Sequence, residues 1–167
     1  MKRIDIATLS NKGGREHNED YCKTVSLGGR EMPALADGLG GHSGGEAASE
    51  TAVEMALRQL GQTGDISNAF DTAQSAVLEM QQQKRNLASM RTTLVLAVIN
   101  GDRLRFGHIG DSRLYVFKNG KPPYRTYDHS VVNVLYKTGK IKEKEIRRHP
   151  DRNKLLRVIG EAEPFKP

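Results

Sequence analysis

The chain has no tryptophan, a single cysteine and few aromatic residues, 5% of 167. One cysteine, Cys22, rules out an internal disulfide framework and suits a reducing compartment. No apolar run approaches the roughly 20 residues a helix needs to span a bilayer, so no membrane partner is expected. The opening Met1-Lys2-Arg3, followed by Ile4-Asp5-Ile6, is too polar for a secretory signal. The cytoplasm is therefore the expected location. Internal repeats, low-complexity tracts and interdomain linkers are lacking as well. The length suits one domain, residues 1–167, with a real core, and the 37% hydrophobic content is that of a globular protein.

A net charge of +6 is spread unevenly. Residues 137–157 hold nine lysines and arginines against three acids, whereas the first sixty residues hold seven bases and nine acids. A segment so basic could attract nucleic acid or an anionic phosphoprotein. No aromatic residue interleaves it after Tyr136, so nucleic acid is the weaker reading and a solvated helix face the stronger.

Hydrophobic periodicity predicts half-buried strands over Lys2 to Leu9, Tyr21 to Val25 and Met32 to Ala36, the last two joined by a turn at Leu27-Gly28-Gly29-Arg30. Helical spacing over Glu46 to Leu60 predicts a one-sided helix that Gly61 would stop. A second helix follows a cap at Asp65 or Ser67, with Ile66, Phe70, Ala73, Val77 and Met80 on one face. Thr92 to Ile99 is a β-branched, buried strand. Asn100-Gly101 signals a hairpin into a strand over Arg103 to Ile109. Another strand is expected from Arg113 to Lys118, with a turn at Asn119-Gly120. Asp128-His129-Ser130 precedes a short helix from Val131 to Thr138, closed by Gly139. A helical turn over Glu143 to Arg148, halted by Pro150, and a strand over Leu155 to Ile159 complete the chain. Hairpin-linked antiparallel strands interrupted by a helix pair are an α+β pattern, with helices on a sheet or on a sandwich of two sheets.

Chemistry concentrates in Ala36-Asp37-Gly38-Leu39-Gly40-Gly41-His42 and, upstream, Arg15-Glu16-His17-Asn18-Glu19-Asp20. Hard divalent cations take oxygen ligands, which carboxylates and carbonyls supply. A glycine after Asp37 can take positive φ and leave its carbonyl available as a ligand. An arginine fork suits the non-bridging oxygens of a phosphate. Together they read as phosphoryl chemistry. Blander readings compete. Asp37 could be an ordinary turn aspartate, and Arg15 and Glu19 surface residues. Asp20 would fall on the strand face opposite Glu19, and Asp111 could serve a cap or turn. His42 is read as ordering its own loop, His129 as part of a capping turn, and Cys22 as a small core residue. His17, His108 and His149 lack metal-ligand spacing. Thr92-Thr93 needs no explanation beyond strand propensity.

Six segments in order resemble the bacterial form of the metal-dependent serine/threonine protein phosphatases of type 2C. They are Gly14-Arg15 with Asn18-Glu19-Asp20, Asp37-Gly38 within its glycine-rich run, Thr92-Thr93, Gly110-Asp111-Ser112-Arg113, Asp128-His129-Ser130, and His149-Pro150 with Arg152-Asn153 and Ile159-Gly160. The resemblance implies a sandwich of two antiparallel sheets flanked by helices, a four-layer αββα arrangement. It also implies two Mn²⁺ or Mg²⁺ ions between the sheets, with a third bound more weakly. By the same resemblance Asp37 bridges both metals, the Gly38 carbonyl and Glu19 ligate, Asp20 supports from the second shell, Asp111 serves the third ion, and Arg15 holds the phosphate. A metal-bridging hydroxide would then hydrolyse phosphoserine and phosphothreonine in proteins. Phosphorylated proteins, and a serine/threonine kinase whose products the enzyme removes, are the implied partners.

Three departures stand out. Leu39 replaces the histidine proposed as general acid in eukaryotic members, leaving that role unassigned. Arg91 replaces a common glycine. Two further metal-binding aspartates lie in the family beyond the position of Pro167, and Asp151 matches neither. The chain thus reads as the N-terminal two-thirds of the family's domain, nearly inactive by itself. The alternative is an inactive regulatory or phosphoprotein-binding module of the same fold.

Overall fold

A computed structural model describes residues 4–39 and 43–161. Strands β1 (Asp20–Leu27) and β2 (Arg30–Leu39) form a hairpin through Gly28 and Gly29, whose φ values of 59° and 75° suit a tight two-residue turn. The chain then runs through helices α1 (Ser43–Thr63) and α2 (Ile66–Gln83) before returning to the sheet. There β3 (Arg91–Thr92) pairs with Gly38 and Leu39 at the end of β2. Strand β4 (Leu94–Asn100) lies against the rest of β2, and β5 (Arg103–Ile109) lies on β4. The order is β1-β2-β4-β5, antiparallel throughout. A separate two-stranded sheet joins β6 (Tyr115–Val116) to β7 (Tyr124–Arg125). Two antiparallel sheets with helices make the expected α+β fold.

Strand alternation divides the large sheet into two faces. Met32, Ala34, Ala36, Leu94, Leu96 and Val98 point towards α1 and α2 and pack with Ala52, Val53, Leu60, Phe70 and Val77. Phe70 is fully buried, and a Cβ on Gly107 would sit 2.7 Å from its ring, so the glycine lets the ring lie flat on β5. On the opposite face Cys22, Pro33, Leu35, Val95 and Ala97 line a cavity of about 300 Å³. Cys22 is thus half-buried on that face rather than in the helix-side core.

Several expected elements differ. The described part of Lys2 to Leu9 forms no strand, because β1 pairs only with β2; Leu9 is 92% exposed. Helix α1 passes through Gly61 to Thr63, and the left-handed residue is Gly64, whose N–H donates to the Leu60 carbonyl at 2.8 Å. Buried Leu60 keeps the helix against the sheet, which outweighs the cost of one glycine. Asp65 does cap α2, accepting from Ser67 and Asn68 N–H.

The Thr92 to Ile99 run divides at Thr93. The hairpin after β4 turns on Gly101-Asp102, leaving Asn100 paired with Arg103. Arg113 to Lys118 contracts to β6, although the turn at Asn119-Gly120 forms, with Gly120 at φ 71°. Leu155 to Ile159 makes only isolated bridges, Leu155 to Ser130 and Ile159 to Thr92. Helix α3 (Val131–Lys137) follows a Ser130 cap and ends before Gly139, and Glu143–Arg148 is a 3-10 turn. Among the described residues, no helix is long and apolar enough to cross a membrane.

Phe70→Ala should lower unfolding free energy by about 3–5 kcal/mol, since it empties a fully buried site. Leu9→Ala should stay within about 0.5 kcal/mol of wild type. Equilibrium denaturation in urea measures both, and a large loss for Leu9→Ala would contradict the exposure of that side chain.

Candidate functional site

The hairpin register sets Asp20 directly opposite Asp37 at the open end of β1 and β2. Both side chains leave the sheet on the face away from the helices, and the two carboxyls hydrogen-bond. Glu19, one residue earlier, turns the other way, so that its carboxylate meets the first turn of α1. A Cβ on Gly45 would lie 2.7 Å from the Glu19 carboxylate carbon, and one on Gly38 would lie 2.1 Å from the Gly45 carbonyl oxygen. Only glycine fits at Gly38, whereas a side chain at Gly45 would displace the Glu19 carboxylate. Gly38 is therefore required by close approach rather than by the positive φ its sequence suggested, since it lies within β2 and is absent from the left-handed glycines.

The Asp37 backbone is clamped by two buried threonines. Its N–H donates to Thr93 Oγ1 at 2.9 Å, and its carbonyl accepts from the Thr93 N–H at 2.9 Å and from Thr92 Oγ1 at 2.9 Å. Thr93 Oγ1 also meets Ser112 Oγ at 2.7 Å, linking the strand end to the neighbour of Asp111. Ser49 Oγ donates to the Glu19 carbonyl at 2.7 Å, and Gly38 N–H to the same oxygen at 3.1 Å. Sequence reasoning assigned Thr92 and Thr93 to strand propensity and passed over Ser49 and Ser112. The available signal was two adjacent hydroxyls opening an otherwise apolar run.

Four carboxylates, Glu19, Asp20, Asp37 and Asp111, act on one another here. Burial, then the negative charge of Asp20 and Asp111, the Asp20 hydrogen bond and the charge of Glu19 push the Asp37 carboxyl from its ordinary 3.8 to about 6. Burial also raises Asp111, against the pull of its own backbone hydrogen bond. Glu19 Oε1 is buried with no hydrogen-bond partner among the described residues. Such an atom is costly unless something positive reaches it. No three His, Cys, Asp or Glu side chains among the described residues stand at mutual coordination spacing, so the acids interact without forming a closed cage.

Arg15, Glu19, Asp20, Asp37 and Gly38 border one cavity of about 410 Å³, with Lys12 and His17 on its rim. Arg15 is held in a turn by its N–H to the Lys12 carbonyl at 3.1 Å, and its side chain is exposed. Asp111 interacts from the loop after β5 and does not line that cavity. Arg91 lies in β3 and ion-pairs with Glu161 at 3.1 Å, so the strand accommodates it without strain. Asp151 pairs with Lys154 at 2.7 Å, away from the acids. His42 lies outside the described residues.

An acid-rich cavity with an arginine at the open end of an antiparallel sheet, backed by two helices, defines a class of cation-dependent, anion-handling proteins. The particular family follows from comparison. The family model of protein phosphatase 2C matches residues 10–153. The protein phosphatase PhpP of Streptococcus pneumoniae is 34% identical over 98% of this chain and 71% of its own length. The crystal structure of the Mycobacterium tuberculosis serine/threonine phosphatase PstP superposes with a TM-score of 0.81 at 32% identity, covering 94% of this chain and 69% of that one. A second structure, the PstP catalytic domain in complex with two manganese ions, gives 0.77 at 32% identity, over 94% of this chain and 68% of that one. The chain belongs to the protein phosphatase 2C family.

A raised carboxyl pKa means the folded state holds a proton that the unfolded chain releases, so stability falls as pH rises from about 4 through about 6. Without divalent cations, Asp37→Asn should therefore be more stable than wild type at pH 7, and the advantage should vanish below pH about 4. Thermal melts in chelator across this window test it. Identical pH profiles for the two proteins would mean that neither burial nor the neighbouring acids raise the Asp37 carboxyl.

Proposed function

We propose that this protein is a metal-dependent protein phosphatase that removes phosphate from phosphoserine and phosphothreonine in proteins and so opposes a serine/threonine kinase. The observation that carries the reading is the group of three carboxylates, Glu19 with its orphaned oxygen, Asp20 and Asp37, that share one opening with Arg15, with Asp111 acting on Asp37 from outside it. A divalent cation matches that donor set. Carboxylate oxygens and a backbone carbonyl suit Mn²⁺ or Mg²⁺. The manganese-bearing PstP structure, at 32% identity, supports the same choice.

In this reading Asp37 and the Gly38 carbonyl hold the cations, two in the complete site, and Glu19 offers its orphaned oxygen. Asp20, the cross-strand partner of Asp37 on the same sheet face, supports it from behind, and Asp111 serves a further, weaker ion. Bound there, the cations would supply Lewis-acid neutralisation of the charge that develops on phosphorus oxygens. Arg15 grips the non-bridging oxygens of the phosphoryl group, a charge-assisted fork worth roughly 1.5–3 kcal/mol. The threonine clamp fixes where the Asp37 carboxylate points, so the acids need no reorganisation as the charge on the substrate changes. Leu39, beside the acids, can neither give nor take a proton, so leaving-group protonation is not assigned to it. The residues form one domain, which in the relatives extends over about a third more of their length.

Asp37→Asn should abolish high-affinity Mn²⁺ binding seen by calorimetry, together with any hydrolysis of a phosphothreonine peptide. Retention of both by a folded variant would overturn the assignment. Arg15→Ala should leave Mn²⁺ affinity unchanged and weaken phosphate binding by about tenfold or more, as the loss of a charge-assisted fork requires. If Mn²⁺ affinity fell instead, Arg15 would be shaping the acid cluster rather than the phosphate grip.

A further inference from the structure

A second cavity, of about 360 Å³, opens between the end of β5, the segment after β7 and α3. Its inner wall is a pair of stacked imidazoles, His108 and His129, with ring centroids 4.5 Å apart and planes at 18°. Each ring is fixed by backbone. His108 Nε2 donates to the Tyr127 carbonyl at 2.8 Å, and His129 Nδ1 accepts from the Gly110 N–H at 3.3 Å. Lys137 Nζ stands 3.9 Å over the Tyr127 ring and has no ion-pair partner among the described residues. Arg157, engaged in an interaction of its own, also lines the wall. The one carboxylate there, Asp128, is already neutralised by the Arg113 fork at 2.6 and 2.5 Å. Burial, then the charges of His108, Arg157 and Lys137, hold His129 down at about 4 against the pull of Asp128. The rim is apolar: Tyr124, Tyr127, Val134 and Leu156 are each about half exposed.

We propose that this cavity docks an acidic segment of a protein partner, a peptide carrying glutamate or aspartate beside an aromatic or aliphatic side chain. The charge calls for the acid. The aromatic and aliphatic rim calls for an apolar neighbour, because a lone small anion would leave that rim in water. Identifying the partner as the enzyme's own substrate rests on the phosphatase reading; the docking chemistry does not.

Placement supports the link. His108 shares the sheet face of Asp37, since Leu35 pairs with Val95 and Val95 with His108. Two strand spacings, about 10 Å, separate the Leu35 and His108 positions. The His129 turn is also bolted to the candidate site. Its N–H donates to the Gly110 carbonyl at 2.9 Å while Gly110 N–H returns the bond, one residue before Asp111.

The test uses a fluorescein-labelled, unphosphorylated peptide with glutamates beside a phenylalanine, and its glutamine counterpart, followed by anisotropy at low salt on the whole chain. The glutamate peptide should bind about tenfold more tightly than the glutamine one, and Lys137→Glu should erase the difference while Lys137→Arg keeps it. Arg15→Ala should leave this binding unchanged. Equal binding of the two peptides, or binding indifferent to Lys137→Glu, would overturn the proposal. So would loss of binding in Arg15→Ala, which would place the peptide in the first cavity. Stronger binding of a short single-stranded DNA, equally sensitive to Lys137→Glu, would make the cavity a nucleic-acid site and refute the peptide assignment. Because the probe carries no phosphate, failed docking leaves hydrolysis of phosphothreonine peptides to be judged separately, and the reverse holds too.

Discussion

The backbone of Asp37 is the fixed point of this structure. Thr92 and Thr93 hold its N–H and its carbonyl together, and the same Thr93 hydroxyl reaches Ser112 beside Asp111. A buried hydroxyl pair is expensive unless every lone pair and proton is used, and here both threonines are fully buried and engaged. The clamp compels β3 to turn back onto the end of β2, which brings the loop after β5 up to the acids. Without it, Asp37 would be an exposed strand-end aspartate free to swing away from its neighbours.

Close packing behind the clamp does the rest. Gly38 and Gly45 let α1 begin in contact with the strand end, and that contact aims the Glu19 carboxylate inwards while Ser49 and Gly38 hold its carbonyl. Asp20 and Glu19 leave the chain in opposite directions, yet both act on Asp37, because it lies near the open end of the strands. Folding energy from the helix-side core is thus spent on holding like charges together. The raised Asp37 carboxyl and the orphaned Glu19 oxygen are the visible cost, and a bound cation would relieve both.

Much of this was legible in the residues. Gly28-Gly29 and the turn after Asn100 announced hairpins because a tight turn needs φ values that other residues resist. Asp65 or Ser67, and the segment Asp128-His129-Ser130, announced helix starts, and Asp65 and Ser130 are the residues whose side chains answer unpaired N–H groups. Asp37, Glu19 and Arg15 stood out by residue type and spacing. What stayed hidden depended on partners distant in the chain. Lys2 to Leu9 and Leu155 to Ile159 alternate like strands but find no continuous ladder, and Gly61 could not show that Leu60 keeps the helix on the sheet past it. The hydroxyls of Ser49, Thr92, Thr93 and Ser112 matter only once strands and helix meet. The docking cavity likewise needs His108 and His129, twenty-one residues apart by number, to stack.

The central claim is electrostatic: the acids around Asp37 are arranged for divalent cations. Anomalous diffraction from crystals grown with Mn²⁺ tests it most directly. The account predicts a manganese peak in contact with the Asp37 carboxylate and the Gly38 carbonyl. A crystal in which Asp37 is instead neutralised by a lysine or arginine, with no manganese bound at saturating concentration, would contradict it.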